Sequence, residues 1–365
     1  MHNPGLLPTT PPVPAPVTTP AVPRAREHRY DIDLIRVLAS VGVIVCHAAG
    51  ELMTAVGRSP AGGSPVYWTA VVADGLSRCA VPLFFAMAGW VVLSGAPPRD
   101  GAQVRTRLTR ILVPMAVWTA AYLLWGWVRD TNPDPTRSLA LDALFGTVRP
   151  AFHLWYLYTY APVILLLSTV VLIRAGKRPW GPGVALLALA LAPTLRTDAN
   201  KLLDLQLPSF TWTFTLYQVV YAVAGALLLT VPRSVTTGRR RRLLWLAAAG
   251  CAWAAVVAEE HYVHFPSPYA SPFVALLVGA LLMAFNGLTV PERLRPLLTR
   301  LGGAAFGAYL VHLFFLQALA PHLVTARAGW LHAPAALAAL TVATVGLSFV
   351  ASLLWERLRL RRWLG

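Results

Sequence analysis

Residues 32–50, IDLIRVLASVGVIVCHAAG, have the length of a bilayer-crossing helix, yet they carry Asp33, Arg36 and His47. A charged side chain at membrane depth costs roughly 3 kcal/mol or more, so such residues mark function by default. The rest of the chain has the same apolar character. Of 365 residues, 56% are hydrophobic and 13% charged, and the mean hydropathy is +0.58. A soluble domain of this length does not show such values.

Working outward, apolar segments that read as spans lie near 32–50, 72–95, 108–128, 151–173, 182–195, 211–231, 243–259, 271–289, 301–320 and 335–355. The fifth, short and flanked by Pro182 and Pro193, is the weakest of them. The expected fold is an all-α membrane bundle of about ten transmembrane helices. Basic residues concentrate on the cytoplasmic side of membrane proteins. With the N-terminus inside, 22 of the 31 Lys and Arg fall in inner segments and 7 in outer loops, so both termini are expected in the cytoplasm. The net charge of +16 is thereby a topology signal, and no nucleic-acid partner is expected. Residues 1–28, rich in proline, read as a disordered cytoplasmic tail, 29–356 as the membrane domain and 357–365 as a basic cytoplasmic end with no appended soluble domain. Cys46, Cys79 and Cys251 fall inside spans and read as small apolar packers.

Arg36 and His47 are eleven positions apart, which puts them on nearly one helical face about 16 Å apart along the axis. They cannot touch, but they can hold the two ends of one elongated ligand. Asp33, one turn before Arg36, is placed to orient its guanidinium, and Glu51, one turn past His47, to orient the imidazole if the helix continues. The plainer alternative makes Arg36 an interfacial anchor and His47 a packing residue.

Five further features accompany them. Arg107 and Arg110, in RTRLTRILVPMAVW, share a face at i, i+3 and suit bidentate phosphate binding as well as an ordinary positive-inside cluster. VPLFFAMAGW (81–90) carries Ala86, Ala88 and Gly89, small enough to admit a neighbouring helix, and Asp74 and Arg78 at i, i+4 are placed to neutralise each other. AFHLWYLYTYAP (151–162) supplies His153, Trp155, Tyr156 and Tyr158, an aromatic girdle that fits both an interfacial belt and a sugar-binding surface. GAYLVH (307–312) puts Tyr309 and His312 three apart near mid-membrane. The EEHYVH segment (259–264) has two histidines at i, i+3 but lacks the further ligands of a metal site, so no metal is expected.

In this order the motifs DLIRVLASVGVIVCH, VPLFFAMAGW, Arg107 with Arg110, HLWYL and GAYLVH resemble acyltransferase family 3, the multispan membrane O-acyltransferases. The resemblance runs from about Arg29 to Ala320 and is nearest the branch that acetylates surface polysaccharides. Ala88 stands where the family often has serine, which argues against a catalytic serine there. The resemblance implies acyl-CoA, with acetyl-CoA expected, as co-substrate with no bound cofactor. It also implies a glycan or small hydroxyl compound as acceptor and the first-span histidine as the key catalytic group. The residue assignment that follows has His47 and Arg36 catalytic, Arg107 and Arg110 on acyl-CoA, Asp33, Glu51, Tyr309 and His312 supporting, and His153, Trp155 and Tyr158 at the acceptor. His47 then serves as general base or takes the acyl group itself. The lipid bilayer of the plasma membrane is the expected setting, and a homo-oligomer is compatible with it. The rival class is a transporter using Arg36, His47 and His312 as a proton relay, although the two halves show no paired Gly/Pro helix breaks.

Overall fold

A computed structural model describes residues 28–57, 63–147, 151–236 and 238–365. The expected tail, residues 1–28, lies outside the described residues except for His28. The described residues contain helices and no strand. In chain order the helices are α1 (Tyr30–Val56), α2 (Pro65–Ser77), α3 (Ala80–Trp90), α4 (Gly101–Val128), α5 (Thr136–Phe145), α6 (Trp155–Arg174) and α7 (Trp180–Leu202). They continue as α8 (Leu216–Leu228), α9 (Arg233–Thr236), α10 (Arg239–Tyr262), α11 (Pro272–Phe285), α12 (Arg295–Leu323), α13 (His332–Arg357) and α14 (Arg361–Leu364).

Every one of the ten apolar segments is helical over most of its length. Among the described residues seven stretches are long and apolar enough to cross a membrane: Tyr30–Val56, Pro65–Gly95, Gly101–Val128, Phe152–Arg174, Arg239–Tyr262, Glu292–Leu323 and His332–Arg357. Leu216–Leu228 and Pro272–Phe285 are shorter apolar helices, and Trp180–Leu202 reaches spanning length with charged residues in its last two turns. The protein is an all-α polytopic membrane bundle.

Local chemistry sets the helix starts. Ser64 accepts a hydrogen bond from the Tyr67 amide at 3.2 Å, with Pro65 at the first helical position of α2. Asp100 does the same for Gln103 at 2.8 Å and opens α4. The second span breaks at Arg78 and Cys79 between α2 and α3, just before Pro82, whose missing N–H cannot continue the ladder back to Arg78.

α1 lies at the centre, packed on α2, α3, α12 and α13. It meets α3 at Gly42, opposite Ala80, and α12 passes Asp33 at Gly302. The small residues of α3 serve a helix crossing. A Cβ at Gly89 would collide with the backbone of Ala222 on α8, and one at Gly225 of α8 with the backbone of Ala86, so only glycine permits this approach. The start of α1 is tied to the end of α11: Asp31 accepts from the Gly287 amide at 2.8 Å, and Arg29 donates to Asn286 at 2.9 Å.

Candidate active site

Three arginines from two helices converge at one end of the bundle. Arg36 of α1 and Arg107 and Arg110 of α4 line a single cavity of about 420 Å³, closed by Phe84, Met87 and Ala88 of α3 and by Tyr160 and Ile164 of α6. Arg36 donates to Asp33 at 2.8 Å, and the other Asp33 oxygen accepts from His28 Nε2 at 2.6 Å. Asp33 is buried while Arg36 keeps 33% of its side chain exposed, so the carboxylate aims a guanidinium whose remaining donors are open. Arg107 donates through Nη2 to the Ala96 carbonyl, whereas its Nη1 is buried without a hydrogen-bond partner. A buried guanidinium donor left unmade is costly, and an anion in the cavity would satisfy it.

Farther along α1, His47 lies in a cluster of three histidines. Its Nδ1 is 2.6 Å from Nε2 of His312, and the ring planes are within 6° at a centroid separation of 4.9 Å. So wide a separation at that nitrogen distance means the rings meet edge to edge. His312, fully buried on α12, places its own Nδ1 2.5 Å from the Tyr309 carbonyl. A carbonyl only accepts, so Nδ1 of His312 carries the proton. Neutral His312 then offers a bare Nε2, which accepts from the Nδ1–H of His47 and leaves His47 Nε2 with its lone pair free. Three groups in series, the Tyr309 carbonyl, His312 and His47, thus fix one tautomer of the half-buried His47.

His153 completes the cluster, its ring 5.0 Å from His312 and 6.3 Å from His47. Tyr309 donates to the His153 carbonyl at 2.5 Å, and the buried Nδ1 of His153 has no hydrogen-bond partner. Phe152, 49% exposed, stands edge-on to His47 at 5.2 Å. Between the arginine cavity and the histidines runs a ladder of rings. Tyr160 in the cavity wall is 5.1 Å from Tyr156, Tyr156 is 6.0 Å from Tyr309, and Tyr309 is 5.9 Å from His312.

Several sequence expectations change here. Asp33 does meet Arg36, but the bond that orients His47 comes from His312 and not from Glu51, which is half-buried one turn beyond. The girdle of α6 is not one platform. His153 turns into the histidine cluster, Trp155 stacks 5.8 Å from Tyr269, and Tyr158 is buried with its hydroxyl donating to the Ala143 carbonyl at 2.8 Å. The reason is that Phe152–Leu154 is a tight 3-10 turn that rotates His153 away from the face its neighbours occupy in α6.

The Asp74 and Arg78 pair has a third member. Arg78 donates to Asp74 at 2.5 and 2.6 Å and lies 3.5 Å from Glu260 of α10, with Cys46 at 3.3 Å and the Tyr269 ring at 5.5 Å. Burial pushes the Tyr269 phenol well up from its ordinary range, so this ring stays neutral beside the charges. The rest of EEHYVH makes structural ties: Glu259 accepts from Ser271 at 2.6 Å, and Tyr67 and His261 are 3.0 Å apart. Among the described residues no group of three His, Cys, Asp or Glu side chains is arranged to hold a metal ion. The three cysteines are free.

A family model described as an acyltransferase domain matches residues 29–353. Neither the curated proteins nor the solved structures provide a match.

Proposed function

Since the chain belongs to acyltransferase family 3, whose domain model spans residues 29–353, we propose that it moves an acyl group, acetyl first among the expectations, from cytoplasmic acyl-CoA to a hydroxyl of a cell-surface glycan. It is a multi-pass membrane acyltransferase, and the plasma membrane is the setting that fits this reaction. The observation that carries the donor assignment is the cavity where Arg36, Arg107 and Arg110 meet, with the buried Arg107 Nη1 left for an anion. The phosphates of CoA bind there, and the pantetheine arm follows the face of α1 past the rings of Tyr160 and Tyr156 toward His47.

At the histidines, His47 Nε2 takes the proton of the acceptor hydroxyl while the oxygen attacks the thioester carbonyl. The carbon–sulfur bond then breaks, and the proton on His47 passes to the departing thiolate. His312 acts as the positioning residue, holding His47 in the tautomer that exposes Nε2. Phe152, exposed beside His47, marks the side from which the acceptor arrives. A hydroxylated small metabolite would meet the same groups as a glycan hydroxyl.

Transfer from labelled acetyl-CoA in membranes tests this directly. His47→Ala is expected to lower the initial rate by about 10²- to 10⁴-fold, the scale of a general base. Arg107→Ala should raise KM for acetyl-CoA by about tenfold or more. Wild-type turnover by the His47 variant at equal expression would overturn the assignment.

A further inference from the structure

A second basic cavity adjoins the first. It has a volume of about 520 Å³ and is walled by Arg110, Gly303, Phe306, Arg361, Arg362 and Gly365. Arg110 lines both cavities, so its side chain stands between them. Arg361 and Arg362 come from α14, past residue 353 where the family match stops.

These two arginines do not sit on a loose end. Trp118 of α4 donates to the Leu364 carbonyl at 3.1 Å, and Trp355 of α13 to the Gly365 carbonyl at 3.1 Å. Arg361 donates to the Gly303 carbonyl of α12 at 3.2 Å and to Glu356 at 2.9 Å. A residue that serves only as an inside anchor needs neither a fixed backbone nor a cavity shared with a phosphate clamp. Three guanidinium groups surround this space, and Glu356 offsets one of them. Guanidinium groups arranged around one space suit an anion with several oxygens.

We propose that Arg110, Arg361 and Arg362 form a second anion subsite, which takes a phosphomonoester carried by the same donor: the ribose 3′-phosphate of CoA. This rests on the donor reading above. Arg36 and Arg107 hold the diphosphate, Arg110 bridges, and α14 closes on the group one ribose ring away. The subsite makes the enzyme selective for CoA over carriers that lack the 3′-phosphate.

The experiment uses the full-length protein in nanodiscs of phosphatidylcholine and compares KM for acetyl-CoA with KM for acetyl-3′-dephospho-CoA. Wild type is expected to favour acetyl-CoA by about tenfold or more, the scale of a charge-assisted hydrogen bond to phosphate. In Arg362→Ala that preference should fall toward one, and Arg362→Lys should recover part of it. Arg107→Ala should weaken both donors together and keep the preference. Equal KM values in wild type, or an Arg362 variant that keeps the preference, would overturn the subsite. Activation by phosphatidylglycerol that Arg362→Ala abolishes, with the donor preference intact, would assign the cavity to a lipid headgroup and overturn it too. If wild type uses neither donor, the donor reading itself fails, which is a different signature.

Discussion

Cys46 and His47 are neighbours in α1, yet they face two different arrangements of buried polar chemistry. Cys46 touches Arg78, which is 9% exposed and enclosed by Asp74, Glu260, the thiol and the Tyr269 ring. His47 faces His312 and keeps a ring nitrogen without a proton, and the α1 face that carries it leads back to Arg36 and the partly open cavity of Arg107 and Arg110. In the first region Asp74 holds the guanidinium through two bonds, and Glu260 beside it keeps one buried oxygen without a hydrogen-bond partner. In the second, a lone pair and a guanidinium N–H are left over. Burial of ionisable groups is common to both, so burial alone does not mark a site. An unpaired donor that opens on a cavity does.

The largest expected effect separates the two regions by what is lost. Arg78→Met leaves Asp74 and Glu260 buried and uncompensated, a change that costs about 3 to 5 kcal/mol. The purified variant should unfold at a much lower temperature in detergent. Adding Asp74→Leu and Glu260→Gln removes the charges that needed Arg78 and should recover most of that loss, because apolar replacements of a buried ion cluster are often neutral. A triple variant that stays stable but loses acyl transfer would place the cluster in the reaction and break the comparison.

A smaller effect is expected at His312. His312→Ala frees the His47 ring to rotate and to change tautomer, and under the proposed general-base role kcat should fall by about 10- to 100-fold. His312→Gln offers a side-chain oxygen that can accept from His47 Nδ1, so it should restore part of the rate. Equal loss in both variants, with lowered melting temperatures, would make His312 a packing residue and leave His47 without its orienting group.

The sequence was informative wherever one helix carries the signal. The apolar runs, the Arg36 and His47 pair on α1, and the i, i+3 spacing of Arg107 and Arg110 are each properties of a single segment. The small residues around Gly89 announced a close crossing, and α8 fills that role through Gly225. What stayed hidden depends on the tertiary arrangement. Nothing in the spacing links Glu260 to Arg78 or His153 to His312, since those partners lie on different helices. His153 was read inside the apolar segment 151–173, and the 3-10 turn that redirects its side chain shows only in the structure. Seven stretches among the described residues meet the length and hydropathy of a span against the ten expected, because α8 and α11 are apolar but short and α7 is long but charged at its end.

The smallest effect is the sharpest probe, because Cys46 belongs to one region by contact and to the other by sequence. Its thiol donates to Asp74 at 3.4 Å and accepts from Arg78 at 3.3 Å, both weak bonds to sulfur. Cys46→Ala removes them and leaves a small void, a loss expected near 1 kcal/mol because Arg78 keeps its two bonds to Asp74. The melting temperature should drop by a few degrees. Turnover at saturating acetyl-CoA should stay within about twofold of wild type, since the bond that sets the His47 tautomer comes from the opposite side, through α12. A fall of tenfold or more at unchanged melting temperature would mean that the ion cluster acts on His47 through the helix backbone between them. The ion cluster around Arg78 would then belong to the reaction centre, and the absence of a cavity beside it could no longer be used to tell structure from function.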